Sequence, residues 1–500
     1  MKAVLAALFS GVLLYLSQGL DDMWFLAGFA PVPILWLAYA NVPAWQLILA
    51  AMSAWLAGQI YAFQCYGSVS PLLILSGLLP LTVLFPVAMI FARLAQRRAS
   101  ALAALLAFPA CWTAFEYLYG LTAPNGSYGS LAYSQMSAPV LIQCVSLLGM
   151  YSVTFLICLF ANTLAMGLQR SLRSSILLAA FGVCALDVAF GFVRLSQPQP
   201  AAVTVGAFVD ESAMLTAYRS DSLDSATSVS SAYATAIRMA AAQGAQFVVT
   251  AEGGIVTRQN WRNAILAPLL AVAQQTGVQI IAGVYERVPP ADLAIALQPD
   301  GAPRSYAKRH LVPFLEAEFT PGHSSGWLGN GRAMVICKDM DYPRTILGDA
   351  KFGIRLMGVP AGDFGKDAWL HARMAIMRGV ESGFAILRAA NEGLLTASDA
   401  EGRLIAQRSA ASSGMTVLIA ALPLGPGHTL YTRIGDAFAW CVVILFLGIG
   451  VLCTRPRPRR AHAVPDHSNR PSHVLNRYAV GVTPMTRRKA WLKVDKSPKP

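Results

Sequence analysis

The chain has 500 residues, 55% of them hydrophobic and only 13% charged, with a mean hydropathy of +0.50 and a formal net charge of +13. That composition excludes an ordinary soluble protein of this length. The positive charge does not argue for nucleic acid, because many basic residues lie in the last fifty positions and in short loops between apolar segments, a distribution typical of membrane proteins.

The opening MKAVLAALFSGVLLYLSQGL has the charge and apolar run of a signal peptide but no small-x-small cleavage site, so it reads as a retained first helix. A spanning helix needs roughly 20 mostly apolar residues. Stretches 3–20, 24–40, 44–66, 71–92, 101–119, 138–168 and 175–193 therefore predict about seven spanning helices within 1–200, and 434–453 predicts an eighth. With the N-terminus in the cytoplasm, Arg93, Arg97, Arg98, Arg170, Arg173 and the tail from Arg455 share the side of Lys2, and Asp21 and Asp22 fall opposite. Only Arg194 dissents from this positive-inside pattern, which places 201–423 outside the cytoplasm. Glu116 and Asp187 fall within spans, where a charge is costly and is either functional or tied up in a hydrogen bond between helices. The uncharged loop 120–137, rich in Gly, Ser and Tyr, can approach lipid or substrate from outside.

Between 201 and 423 the composition becomes that of a globular domain. Strand-length apolar runs at 203–208, 246–252, 278–285, 333–339, 354–361, 384–391, 394–399 and 415–422 interleave with helical patterns at 225–243, 262–276 and 368–382. This predicts an α/β layered domain. Segment 424–453 is a return segment and final spanning helix; 454–500 is basic and Pro-rich and is expected to be disordered and to associate with anionic headgroups on the cytoplasmic side.

The cysteines single out one place. Seven of the eight lie in long apolar segments, and only Cys337, in VICKDMDYP (335–343), stands in the globular part, which excludes a disulfide framework there. Histidines 310, 323, 371, 428, 462, 467 and 473 show no metal-ligand spacing, so no metal and no cofactor are expected. A lone thiol is most often a small core hydrophobe. Three residues at strand ends change that reading: Glu252 closes QFVVTAE, and Lys308 and Glu316 bracket KRHLVPFLE. A thiol of pKa about 8.5 needs a base or a positive neighbour to act as a nucleophile. Glu252 can take the proton, while the Lys308 ammonium and the Lys338 backbone N–H can hold an oxyanion, each such donor lowering the barrier by roughly 3–4 kcal/mol.

Glu, then Lys in K-x-H-L-V-P-F-x-E, then Cys after an apolar strand resembles the nitrilase-like carbon–nitrogen hydrolases. AKRHLVPFLE (307–316), RGVESGFAILRAANEGLLTASDAEGRLI (378–405), HTLYTRIGDAFAW (428–440) and the N-terminal FPACWTAFEYLYG, LAYSQ and LIQCVSLLGMYSVTFLICLFANTLA resemble one membrane-embedded branch, the apolipoprotein N-acyltransferases. The resemblance, which runs to about residue 453, implies an αββα sandwich facing the periplasm on eight helices of the bacterial inner membrane. It further implies two-step transfer of an acyl chain from the sn-1 ester of a phospholipid, through a Cys337 thioester, to the α-amine of a lipoprotein's diacylglyceryl-cysteine. Glu252 would be the base, Lys308 the oxyanion stabiliser and Glu316 the supporting carboxylate, in a chain expected to work as a monomer among membrane lipids. Where the family has Cys-Tyr-Glu this chain has Cys337-Lys338-Asp339, placing a cation and a shorter acid at the expected substrate mouth. AGDFGKDAW (361–369), VGAFVDE (205–211) and FLEAEF (314–319) also depart from the family's phrases. The alternatives are a membrane-tethered amidase, an acyltransferase with another amine acceptor, and a catalytically inactive scaffold.

Overall fold

Apolar residues from Lys2 to Leu195 form α1 (Lys2–Gln18), α2 (Val32–Tyr39), α3 (Ala44–Gly58), α4 (Ile60–Tyr66), α5 (Pro71–Arg98), α6 (Ala101–Gly120), α7 (Val145–Leu148), α8 (Tyr151–Leu168) and α9 (Ser174–Leu195). The computed structural model describes residues 1–69 and 71–455; the basic tail expected beyond Arg455 lies outside the described residues. Among the described residues, five stretches before residue 201 are long and apolar enough to cross a membrane: Ala44–Tyr66, where α3 runs on into α4, Gly77–Arg98 of α5, and α6, α8 and α9. Two of the seven expected spans are shorter. Helix α1 has 17 residues, roughly 25 Å at 1.5 Å per residue. The 24–40 stretch is a 3-10 turn at Trp24–Leu26 followed by the eight-residue α2. Pro31 caps α2, and a second proline lies in its first turn, which favours a new helix start over continuation of the preceding turn. Stretch 138–168 divides as well, into a 3-10 turn at Pro139–Ile142, α7 and α8, with Gly149 at φ 80 between the last two.

The α/β part contains two sheets. Strands β1 (Ala202–Val209), β2 (Phe247–Thr250), β3 (Ile255–Thr257), β4 (Gln279–Arg287), β5 (Pro290–Leu297) and β6 (Arg304–Ala307) precede β7 (Trp327–Gly329), β8 (Arg332–Met334), β9 (Leu356–Gly362), β10 (Ala385–Asn391), β11 (Leu394–Ser398), β12 (Leu404–Ser409) and β13 (Thr416–Pro423). One sheet runs β13-β1-β2-β4-β5-β6, with β3 also on β4, and the other β12-β11-β10-β9-β8-β7. Each has a parallel centre (β1, β2 and β4; β8, β9 and β10) flanked by antiparallel strands. Alternate residues of the two centres, among them Val205, Val249 and Ile281 from one and Val359, Leu387 and Ala389 from the other, meet in one buried core.

Helices α10 (Glu211–Ser220), α11 (Leu223–Ala242) and α12 (Arg262–Thr276) lie on the first sheet, where Ile237 and Leu269 pack with Phe208 and Val248. Helices α13 (Pro343–Ala350) and α14 (Ala368–Ser382) lie on the second. This is an αββα sandwich. Helix α14 is apolar on two faces, because Ile376, Met377 and Val380 also pack against Ile142, Val145 and Met150 of the helical part. Helices α15 (Leu430–Ile434) and α16 (Ala437–Thr454) follow, and α16 is the sixth helix able to span among the described residues.

The helical part has two distinct ends. At one, Lys2 lies 5.9 Å from the Trp36 ring, Gln169 donates to Trp36 O, and Arg98 donates to Cys453 O. Arg93 there donates to the carbonyls of Leu37, Ala38 and Val42. At the other end the α/β part is attached through Arg373 to Gln18 O, Tyr66 to His371, Met150 N to Glu381 and Gln143 to Glu401 O. Short as they are, α1 and the 24–42 stretch run from one end to the other, Trp24 O accepting from Gln135 at the α/β end. Arg194, the exception in the charge pattern, donates to the carbonyls of Gln143 and Ala400, so its place is set by anchoring α9 to the α/β part. Asp187 is half-buried on α9. Glu116 accepts from Trp112 Nε1, Ser130 Oγ, Leu131 N and Thr154 Oγ1 at 2.6–2.9 Å, which fastens loop 120–137 to the helices.

Candidate active site

Three of the predicted residues arrive just past strand ends, two of them, Glu252 and Cys337, from strands of the parallel centres. Glu252 follows β2, Lys308 follows β6, and Cys337 follows β8. The run expected to be strand through 339 stops at Met334, and Cys337 instead begins a 3-10 turn, Cys337–Asp341, with φ +40. Such a φ is strained for a residue with a β-carbon, typically by about 1–3 kcal/mol, and strain of this kind concentrates at functional sites. The turn lifts the thiol out of the strand, and Sγ donates to Gly362 O at 3.4 Å. Glu252 sits before Gly253, whose φ of +59 makes the turn and whose β-carbon, if it had one, would lie 2.4 Å from the Tyr285 ring.

Lys308 Nζ lies 2.6 Å from Glu252 Oε1, 2.6 Å from Glu316 Oε1 and 3.4 Å from Asp292 Oδ2. Glu252, Asp292 and Glu316 bring oxygens within 4.8 Å of one another, as around a cation, and the Lys308 ammonium is the cation among them. Burial opposes the Lys308 charge, but Glu252, Asp292, Cys337 and Glu316 hold its pKa well above the lysine range. Burial raises Glu252, and Lys308 with its hydrogen bonds more than offsets this, leaving it below the usual carboxylate range. Glu316 stays raised by burial despite Lys308. Burial, then the Glu252 carboxylate, pushes the Cys337 thiol well up, against Lys308 and Arg388. The resting arrangement is therefore a thiol facing an ionised carboxylate, suited to deprotonation during attack and not to a standing thiolate.

The two residues expected at the mouth separate. Lys338 faces the cavity, with Nζ 2.7 Å from Asn125 Oδ1 of loop 120–137, and burial lowers it against the pull of Asp341. Asp339 is not at the mouth: it is fully buried beneath the turn, because a side chain two positions past Cys337 in so tight a turn points back toward the sheet. It accepts five hydrogen bonds, from Tyr306 Oη (2.5 Å), Arg309 N (3.1 Å), His310 N (2.9 Å), His310 Nδ1 (3.0 Å) and Ile336 N (3.1 Å). It thereby ties the residues after Lys308 to those before Cys337. Asp339→Ala would leave buried N–H groups without acceptors, each costing about 1–3 kcal/mol. The expected loss is about 3–5 kcal/mol of stability, read as a lowered chemical-denaturation midpoint, with Asp339→Asn intermediate; an unchanged midpoint would contradict it.

Further residues complete the site. Asn391 Nδ2 donates to Glu252 O at 2.5 Å, and Asp363, beside Gly362, pairs with both terminal nitrogens of Arg388. His371 touches Tyr66 Oη at 3.2 Å and Asp367 at 3.0 Å; burial would lower it, but Asp367 raises it to about 9, so it is an imidazolium at neutral pH. Loop 120–137 lies on the Cys337 turn, with Ser127 N and Oγ donating to Asp341 O and Tyr342 Oη donating to Pro124 O. The open cavity beside this loop is about 500 Å³. Glu252, Lys308 and Cys337 stand in one wall, and Tyr66, Leu78 and Tyr128 of the helical part stand in another.

Residues 10–163 match the family described as apolipoprotein N-acyltransferase N-terminal domain, and residues 217–429 match carbon–nitrogen hydrolase. The apolipoprotein N-acyltransferase of Geobacter metallireducens is 27% identical over 499 residues, covering 88% of this chain and 93% of the relative. That of Pasteurella multocida is 23% identical over 521 residues, covering 90% and 95%. Among solved structures, a nitrilase-superfamily amidase from Nesterenkonia is 18% identical with a TM-score of 0.36, covering 45% of this chain and 92% of its own. With both halves matched in order and relatives aligned along nearly its whole length, this integral membrane protein belongs to the apolipoprotein N-acyltransferase family, the membrane branch of the nitrilase-like carbon–nitrogen hydrolases.

Proposed function

We propose that this protein moves an acyl chain from a phospholipid onto Cys337 and from there to the α-amine of a lipoprotein's N-terminal diacylglyceryl-cysteine. The observation that carries this reading is the placement of the half-buried Cys337 with a buried Glu252–Lys308 pair in a cavity that residues of the helical part also line. Such a chamber admits lipid tails while limiting water, which would hydrolyse a thioester.

In the first step Glu252 takes the thiol proton as Sγ attacks the ester carbonyl. The oxyanion meets the Lys308 ammonium and the Lys338 N–H; the carbonyl re-forms and the lysophospholipid alkoxide leaves with the proton from Glu252. In the second, the acceptor amine attacks the thioester carbonyl and gives its proton to Glu252. Collapse forms the amide, and the thiolate leaves and is reprotonated. Glu316 holds Lys308 in place, accepting from it and from Val312 N. By the distribution of Arg and Lys, the end carrying Lys2 and Arg93 faces the cytoplasm and the α/β part the periplasm of the inner membrane.

The test is intact-mass analysis of the full chain in mixed micelles with phospholipid. We expect an acyl-sized increment on Cys337, discharged by a diacylated lipopeptide with a free α-amine, which gains the acyl group. Absence of the increment, or its release as free fatty acid at the same rate with and without lipopeptide, would overturn the proposal.

A further inference from the structure

The chemistry above assigns no step to Asp292, yet it lies beside Glu252, Lys308 and Glu316. Its side chain is 1% exposed, and its backbone carbonyl accepts from Lys308 N. Lys308 makes its two short contacts, 2.6 Å each, to Glu252 and Glu316, and approaches Asp292 only to 3.4 Å. Neither oxygen of the Asp292 carboxylate accepts a hydrogen bond from any described residue. Around it stand the Glu252 and Glu316 carboxylates, the Lys308 ammonium and Tyr285, its neighbour on β4.

Two ionised carboxylates facing each other out of water, with one ammonium shared among three acids, repel strongly. The same contact with one proton between them is a hydrogen bond, and a side chain that receives no donor but can itself donate accounts for the missing partner. Burial and the Glu252 charge raise Asp292 well above the carboxylate range while Glu252 lies below it, so both point to the same location for the proton.

We infer that Asp292 is a positioning residue of this site: a neutral carboxylic acid whose O–H donates to the Glu252 carboxylate and holds that group as an aligned acceptor for the Cys337 proton. Glu252 receives the thiol proton in the reaction, and Asp292 keeps its own. The inference rests on the reading of Cys337 as a nucleophile activated by Glu252.

The experiment is the rate of Cys337 alkylation by iodoacetamide, resolved by peptide mass, in the full-length protein in micelles from about pH 4 to 9. Asp292→Asn supplies a donor that cannot ionise, and Asp292→Leu supplies none. The Asn variant is expected within about threefold of the unsubstituted protein with the same pH profile. The Leu variant is expected to be about 10- to 100-fold slower below neutrality. Its acid limb should move to higher pH, because Glu252 without that donor is easier to protonate. An Asn variant slowed about 30-fold or more would show that the site needs the Asp292 charge and would overturn the inference, as would a folded Leu variant with unchanged rate and limb. Thermal melts establish which variants fold; if Leu does not, Asn alone decides. If unsubstituted Cys337 reacts no faster than in Glu252→Gln, the reading of Cys337 and Glu252 fails instead.

Discussion

Cys337→Ala is expected to abolish acyl transfer, a drop on the order of 10⁴-fold or more, with no acyl increment and an unchanged melting temperature. No substitute nucleophile is at hand: the other cysteines fall in the helical segments. Cys337→Ser should be nearly as inactive. Its hydroxyl is far less acidic than a thiol, so a carboxylate base assists its attack far less, and an ester so formed is less open to amines than a thioester. The side chain is half-buried and its hydrogen bond, a thiol to a carbonyl, is weak, so little stability goes with it. Lipopeptide acylation assayed with labelled phospholipid decides the point. Transfer by Cys337→Ala above about 1% of the normal rate would mean that the acyl group does not pass through this residue.

Lys308→Met is expected to reduce both rate and stability, and pH separates the causes. Loss of one oxyanion donor costs roughly 3–4 kcal/mol of barrier, about 10²- to 10³-fold in rate. A further loss comes from Glu252, which burial pushes up and the ammonium no longer pulls down, so that near neutrality it holds a proton and cannot accept one. Breaking a buried ion pair costs about 3–5 kcal/mol of stability. In the unsubstituted protein the lowered Glu252 contributes stability that is present above its unfolded pKa and lost as pH falls through the folded one. In the variant Glu252 is raised, and stability is lost as pH rises instead. The difference in melting temperature should therefore shrink from about pH 7 to about pH 4.5. A difference that widens on acidification, or activity within tenfold of normal, would contradict this account.

Both expectations depend on groups that the sequence discloses unequally. Glu252, Lys308 and Cys337 stand out because each is a reactive residue at the end of an apolar run, a signal confined to a few neighbouring positions. Asp292 has the same kind of signal, a lone acid in PADLAIAL, but its importance appears only when β4 and β5 pair and bring it beside Lys308. Asn391 and Arg388 read as polar positions of a strand; that they hold Glu252 O and Asp363 follows from β10 lying parallel to β9. His371 and Asn125 reach one cavity from positions far apart in sequence, one in α14 and the other in loop 120–137. Such convergence leaves no local trace.

The strands missed from pattern are the eight-residue β5 and the shorter β3, β6, β7 and β12; these four are three to six residues long, too short for alternation to register, and all five are held by their neighbours in the sheets. The 24–40 stretch fails in the opposite way: apolar throughout, it satisfies a hydropathy count, while its prolines interrupt the helix.

Sequence by itself determined that apolar helices and an α/β layered domain share this chain, because apolar length and periodicity are local properties that set which solvent each segment accepts. It also named the thiol, the carboxylate and the ammonium, because few reactive residues close its strands. Tertiary structure alone decided that Lys338 turns to the cavity and Asp339 away from it, since one tight turn directs neighbouring side chains to opposite sides. It alone placed Asp292 against the base and laid a loop of the helical part beside the cavity, because burial, charge and reach are set by what the folded chain brings together.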